Sequence, residues 1–128
     1  MAIRVIILGG SGMLGHKLWQ AFSDRFDTYI TLRSVIDSYT QYRLYDPKRA
    51  VDCVSVEDFD SISQAIAAVR PDVTVNCIGI VKQGVAAGDP IANISIDTII
   101  PHLLVELYRA ADSRLIHIST DCLFSGRR

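Results

Sequence analysis

The sequence predicts a doubly wound α/β fold: a parallel sheet of five strands in the order 3-2-1-4-5, with helices on both faces in three layers. Three observations predict it. Short β-branched runs alternate with stretches of helical periodicity along the chain, the pattern of repeated strand–helix crossovers. The strand runs are apolar throughout rather than at every second residue, which marks strands covered on both sides. A cluster of glycines at residues 9–15 separates the first strand from the first helix. Right-handed crossovers then wind the sheet outward in both directions from its first strand.

The elements follow in order. Ile3-Arg4-Val5-Ile6-Ile7-Leu8 is a short apolar run that ends in glycines and reads as a buried strand. Residues 13–26 carry Leu14, Leu18, Ala21 and Phe22 at helical spacing and form the first helix. Residues 28–32 form the second strand. Residues 34–50 are polar and hold three of the five tyrosines, so a loop with one short helix is expected there. Residues 51–54 form a weak third strand. Phe59, Ile62, Ile66 and Val69 mark the stripe of a helix that Pro71 stops. Residues 73–78 form a fourth strand and residues 84–90 a loop. A long helix spans residues 94–111, and Pro101 must bend it or lie in its first turn. Residues 115–118 form the last strand.

A length of 128 residues fits one domain, residues 1–128, with a core of its own. With 49% apolar and 21% charged residues the composition is that of an ordinary globular chain. A net charge of −1 argues against a protein that grips nucleic acid by its phosphates. The first apolar run is too short for a signal sequence or a membrane span. Cys53, Cys77 and Cys122 are odd in number, form no C-x-x-C pair and lie in apolar stretches. They read as buried structural thiols in a reduced, cytoplasmic setting. His16, His102 and His117 have no second ligand at metal spacing, so no metal is expected.

Residues Gly9-Gly10-Ser11-Gly12-Met13-Leu14-Gly15 satisfy both G-x-x-G-x-x-G and G-x-G-x-x-G. The motif follows a strand and opens a helix, the context that gives it meaning as a dinucleotide-binding, Rossmann-type loop. Gly9 lets the chain turn sharply, Gly12 clears the approach of a pyrophosphate to the backbone, and Gly15 lets the helix pack closely on the sheet. The free N–H groups of the first helical turn, with the helix dipole, then face the phosphates. An acid about 20 residues beyond such a loop usually holds the adenosine ribose. Here the position 18 residues after Gly15 is Arg33, followed by Ser34. A guanidinium cannot accept from ribose hydroxyls, but its fork suits a 2′-phosphate, so NADP is favoured and NAD is the second choice. Asp37 is a rival ribose acceptor should the second strand run longer.

Three motifs together resemble the extended short-chain dehydrogenase/reductase family, and within it the dTDP-4-dehydrorhamnose reductase group. They are Leu8-Gly9-Gly10-Ser11-Gly12-Met13-Leu14-Gly15, Pro71-Asp72-Val73-Thr74-Val75-Asn76-Cys77-Ile78-Gly79, and Ile118-Ser119-Thr120-Asp121-Cys122-Leu123-Phe124-Ser125-Gly126. The last is similar to the Ser-Thr-Asp-Tyr-Val-Phe-x-Gly signature of these reductases. The resemblance implies that Gly9, Ser11, Gly12, Met13, Leu14 and Gly15 surround the pyrophosphate. It implies that Cys77, Ile78 and Gly79 present backbone along the cofactor, and that Ser55-Val56 stand where relatives carry an Asp-aliphatic pair near adenine. It makes Thr120 the hydroxyl that hydrogen-bonds the substrate carbonyl and places Asp121 beside the substrate. Asp97 stands where many relatives have an Asn.

The family's acid/base is a Tyr with a Lys four residues on. The five tyrosines here are followed at that spacing by Arg33, Arg43, Asp46, Arg49 and Asp112, never by Lys. In relatives the pair lies beyond the Ser-Thr-Asp signature, so the expectation is that these residues are the N-terminal portion of a longer chain whose substrate-binding part follows. The implied activity is NADP-dependent reduction of a nucleotide-linked 4-keto sugar. A homo-oligomer stays open. Two alternatives stand beside it: a non-catalytic NADP-binding regulatory subunit of the same group, as in methionine adenosyltransferase, and a sugar-nucleotide epimerase or dehydratase. Dehydratases of this kind carry Asp-Glu after the Thr, whereas Asp121 is followed by Cys122.

Overall fold

The structure, a computed structural model, describes residues 2–42, 44–55, 57–78, 100–111 and 113–118. The elements run β1 (Arg4–Leu8), α1 (Met13–Phe22), β2 (Asp27–Thr31), a 3-10 helix (Ile36–Tyr42), β3 (Ala50–Val51), α2 (Phe59–Val69), β4 (Val73–Asn76), α3 (Ile100–Ala111) and β5 (Arg114–His117). They form one five-stranded sheet in the order β3-β2-β1-β4-β5. Every pairing is parallel, with Val5 opposite both Thr28 and Val73 at the centre. The predicted topology is therefore the observed one.

Strand side chains alternate between the two faces of a sheet, so each strand feeds two cores. Val5 and Ile7 of β1, with Ile30 and Val75, pack against Trp19 of α1 and the half-buried Leu18 and Phe22. Ile6 and Leu8 face the other way, onto Ile62, Ala65, Ile66 and Val69 of α2 and Ile100, Leu104 and Tyr108 of α3. The chain thus crosses from one face to the other between β3 and β4. That reversal puts the topological switch beside β1, directly under the glycine loop.

Several boundaries differ from the sequence expectation. Helix α1 stops at Phe22 rather than at residue 26. The chain turns so that Phe26 packs edge-on against Phe22, at 5.3 Å between ring centres, and β2 starts at once. The face that α1 buries is Gly15 and Trp19, while Leu14 is exposed at the mouth of the glycine loop. Strand β3 is only two residues long. Cys53 adopts a left-handed φ of 57° and is exposed rather than buried as expected, and the Asp52 carboxylate accepts the Ile36 N–H at 2.8 Å, so the chain leaves the sheet after Val51. In β5 Leu115 packs on the α2–α3 core, while Ile116 on the other face is exposed. Pro101 lies in the first described turn of α3. The predicted 84–90 loop and residues 94–99 of that helix fall outside the described residues.

The amino ends of the strands are tied by Asp27. Its carboxylate takes the Arg4 Nε at 3.0 Å and the Arg49 guanidinium, and both arginines lie over the Tyr29 ring. Arg49 and Arg4 hold the Asp27 carboxyl below the usual carboxylate range. A carboxyl depressed in the folded state adds stability above its unfolded value, about pH 4, and loses it as pH falls through its folded value. Asp27→Asn is therefore expected to reduce stability at pH 7 by about 1 kcal/mol, since the pairs are part-exposed. The gap to wild type should shrink in acid. Urea midpoints at pH 7 and near pH 3 check this; a gap that persists unchanged in acid would show that the ion pairs are not its source.

Candidate functional site

The site is built where the carboxyl ends of β1, β2 and β4 meet the start of α1. Leu8 ends β1, and Gly9 turns the chain with a φ of +82°, a region that side chains rarely enter. The Gly9 N–H donates to the Thr31 hydroxyl at 3.1 Å, and the Gly10 N–H donates to the Thr31 carbonyl at 2.8 Å. The loop is thus pinned to the end of β2. On its other side Gly9 abuts the backbone of Cys77 and Ile78: a methyl group added there would stand 3.0 Å from the Ile78 nitrogen. The glycine loop and the strand-four signature are therefore brought together.

The glycines have separable causes. A methyl on Gly10 would run into the Ile30 side chain and lie 2.7 Å from the Thr31 carbonyl oxygen. A methyl on Gly15 would collide with the Gly9 carbonyl. That contact is within the loop itself, where the sequence reading placed it between helix and sheet. At Gly12 a methyl would meet only the Gly9 oxygen, at an ordinary 3.5 Å. Among the described residues nothing requires glycine at 12.

Gly12 is also the N-cap of α1, in extended conformation and with no side-chain hydrogen bond to the helix. The first N–H groups of a helix have no partner within it, and among the described residues no side-chain cap takes them. His16 hydrogen-bonds back to the Gly12 carbonyl, Nδ1 to O at 3.0 Å, and leaves those N–H groups alone. Around them Ser11, Met13 and Leu14 are exposed, Met13 at 83%. Unpaired donors, a positive helix end and an apolar rim form a surface suited to a phosphate-bearing ligand.

Arg33 and Ser34 follow β2 on the same end of the sheet. The Arg33 Nη2 lies 3.2 Å from the Glu57 Oε1, both side chains well exposed. Sequence reasoning missed this carboxylate, because an ion pair between residues 24 apart leaves no periodic signal. Ser55 belongs to the turn before α2: its hydroxyl accepts the Glu57 N–H at 3.2 Å, and its own N–H donates to the Ser61 hydroxyl at 3.0 Å. Asp37, the rival ribose acceptor, lies in the 3-10 helix because β2 ends at Thr31.

Cys77 is half-buried, and burial pushes its thiol up to about 11, so it stays protonated and is no nucleophile. Its N–H donates to the Leu8 carbonyl at 3.0 Å. Asn76, fully buried, has a role the sequence did not reveal. Its Oδ1 accepts the Ile78 N–H at 3.2 Å, which turns its Nδ2 toward the His117 Nδ1 at 3.1 Å. Asn76 thereby fixes the backbone that leaves β4 toward the glycine loop, and His117 acts as its structural acceptor. Burial raises Tyr45, and it pushes Tyr108, hydrogen-bonded to Thr74, up to about 12, so neither phenol is tuned toward a base. Among the described residues no group of His, Cys, Asp or Glu could hold a metal ion, and no helix is long and apolar enough to cross a membrane. Val56, Gly79, Thr120 and Asp121 lie outside the described residues.

Fold and loop together define a Rossmann-type α/β protein whose glycine turn sits at the switch point of the sheet. Residues 3–128 match the model of the RmlD substrate binding domain. The chain belongs to that family. It is 27% identical over 126 residues to a dTDP-4-dehydrorhamnose reductase of Mycolicibacterium smegmatis, covering 98% of this chain and 33% of the relative. It therefore spans about a third of the length of that curated relative. Among solved structures it superposes on a hypothetical dTDP-4-dehydrorhamnose reductase from Sulfolobus tokodaii with a TM-score of 0.73 and 25% identity, over 98% of this chain and 42% of that one. It also superposes on the dTDP-4-dehydrorhamnose reductase of Bacillus anthracis in complex with NADP, with a TM-score of 0.70 and 23% identity, over 100% and 40% of the two chains.

Proposed function

We propose that this chain is the cofactor-binding part of a cytoplasmic, NADP-dependent oxidoreductase of the short-chain dehydrogenase/reductase type, acting on a nucleotide-linked 4-keto sugar. The observation that carries the reading is Gly12: a glycine with no cause among the described residues, at a helix start without a side-chain cap, under a loop held from both sides. Such a cradle fits a dinucleotide pyrophosphate. The likeness to dTDP-4-dehydrorhamnose reductases, one of them solved with NADP, supports the cofactor and the substrate class. The chain's share of its relatives' length supports a longer enzyme in which the substrate-binding part is contributed elsewhere.

In this reading the N–H groups after Gly12 hold the pyrophosphate, with Gly9, Ser11, Met13, Leu14 and Gly15 as its surround. Cys77, Ile78 and Gly79 line the path toward the nicotinamide, and Ser55-Val56 lie by the adenine. The nicotinamide, when bound, supplies the hydride. Thr120 donates to the substrate carbonyl oxygen, with Asp121 beside the substrate. NAD is the alternative cofactor.

Arg33 decides between the two cofactors. A charge-assisted hydrogen bond to a 2′-phosphate contributes about 1.5–3 kcal/mol. The exposed pair with Glu57 is worth only about 0–1 kcal/mol, so the phosphate can take Arg33 from it. Arg33→Ala is expected to weaken NADP binding about tenfold and to leave NAD nearly unchanged. Titration of both cofactors against both proteins tests this. Equal affinities for NADP and NAD in the wild type would remove the NADP assignment, and no binding of either would remove the proposed function.

A further inference from the structure

The polar segment between β2 and β3 is not a bare connection. Leu44 and Tyr45 are half-buried and pack on the core beneath α1. Trp19 of α1 donates its indole N–H to the Leu44 carbonyl at 2.8 Å, which fastens the segment to that helix. From there the Tyr45 hydroxyl donates to the Gly10 carbonyl at 2.7 Å. Tyr39 stands edge-on to Tyr45, with ring centres 5.7 Å apart and planes at 90°. Its hydroxyl oxygen accepts the Ser34 N–H at 3.3 Å. One aromatic pair therefore reaches two separate backbone segments: the glycine loop, and the residue next to Arg33.

We propose that Tyr39 and Tyr45 are positioning residues of the dinucleotide site, a clasp that sets the pyrophosphate loop and the 2′-phosphate end at a fixed separation. The proposal rests on the dinucleotide-binding reading above. Both Gly10 backbone groups are then accounted for, the N–H by Thr31 and the carbonyl by Tyr45. A loop so held presents its free N–H groups without first having to order itself, and ordering costs are what preorganisation removes. Burial also raises the Tyr45 hydroxyl, so it keeps its proton and remains a donor through neutral and mildly alkaline pH.

The two hydroxyls touch different parts of the site, so their loss should have different signatures. Binding of NADPH and NADH to this chain is followed by their fluorescence, with thermal unfolding measured on the same samples. Tyr45→Phe keeps the ring and removes one hydrogen bond to the glycine loop. It should weaken both cofactors by about three- to tenfold, with their ratio unchanged. Tyr39→Phe releases Ser34 and should weaken NADPH alone, by about two- to fivefold. Unfolding midpoints should move little in either. Amide exchange of the free wild type gives a second measure that needs no variant: the Ser34 N–H should be protected. Wild-type affinities in both variants, or a freely exchanging Ser34, would overturn the clasp and leave the proposed function standing. Losses that appear only with a large fall in unfolding midpoint would also overturn it, as a structural effect. A wild type that binds neither cofactor would bring down the proposed function and the clasp with it.

Discussion

Gly15→Ala is expected to destabilise the chain by about 1–3 kcal/mol and to weaken dinucleotide binding more than tenfold, the overpacking cost of one methyl in a closed site. The added carbon would fall on the Gly9 carbonyl, with the Gly9 carbonyl carbon 2.9 Å away and the Gly10 Cα at 3.0 Å. All three neighbours are backbone, so no side chain can swing aside. Relief comes only by moving the start of α1 away from the loop or by bending the loop from Thr31, which holds it by two hydrogen bonds. Either shift turns the free N–H groups away from their target. Gly12→Ala supplies the contrast. Its methyl has room, so the unfolding midpoint should stay near wild type while cofactor affinity falls. Urea unfolding and cofactor titration on both variants separate the two causes. A Gly15→Ala chain as stable as wild type would mean the loop yields more easily than its contacts imply. Unchanged binding in Gly12→Ala would mean the ligand does not pass over that residue.

The parts of this fold that could be read in the sequence are those enforced by local repetition. Strand β1 is legible because its apolar run, Val5 to Leu8, is short, β-branched and closed by glycines, as suits a strand covered by helices on both faces, and all four residues are buried. Helix α2 is legible because Ile62, Ile66 and Val69 keep one face and Pro71 ends it. The glycine loop is legible because its spacing falls between a strand and a helix, although Gly9 and Gly10 answer to Cys77 and Ile78 and to Ile30 and Thr31, far along the chain. What could not be read depends on partners far apart in the chain. Leu14 looks like a core residue by spacing, yet it lies at the mouth of the loop because the buried contacts of α1 are made by Gly15 and Trp19. The polar composition of residues 34–50 hides the Trp19 and Tyr45 hydrogen bonds that hold the segment down. The Asn76–His117 contact joins residues 41 apart, and a lone Asn at a strand end gives no hint of it. The carboxylate opposite Arg33 was invisible for the same reason.

Thr120→Val, made in the longer protein to which we assign this chain, is expected to cut turnover by about 10²–10³-fold and to leave cofactor affinity within about twofold, the usual cost of removing one oxyanion-type donor. In the proposed function the hydroxyl meets the substrate carbonyl rather than the cofactor, so the loss should fall on the chemical step. The 128-residue chain itself should show no turnover. Thr120 can polarise a carbonyl, but reduction also needs a proton at the oxygen, and a phenol serves only when its pKa is brought down toward neutrality. Burial does the reverse at Tyr108, which stands near 12, and no Lys lies four residues beyond any tyrosine here. General acid catalysis typically contributes 10²–10⁴-fold, so a chain without a tuned proton donor should be slow by at least that factor. NADPH oxidation with a panel of nucleotide-linked 4-keto sugars, run on both chains, measures each effect. Clear turnover by the short chain would show that the proton donor lies within these residues, and a Thr120→Val enzyme at wild-type rate would take the Ser-Thr-Asp motif out of the reaction.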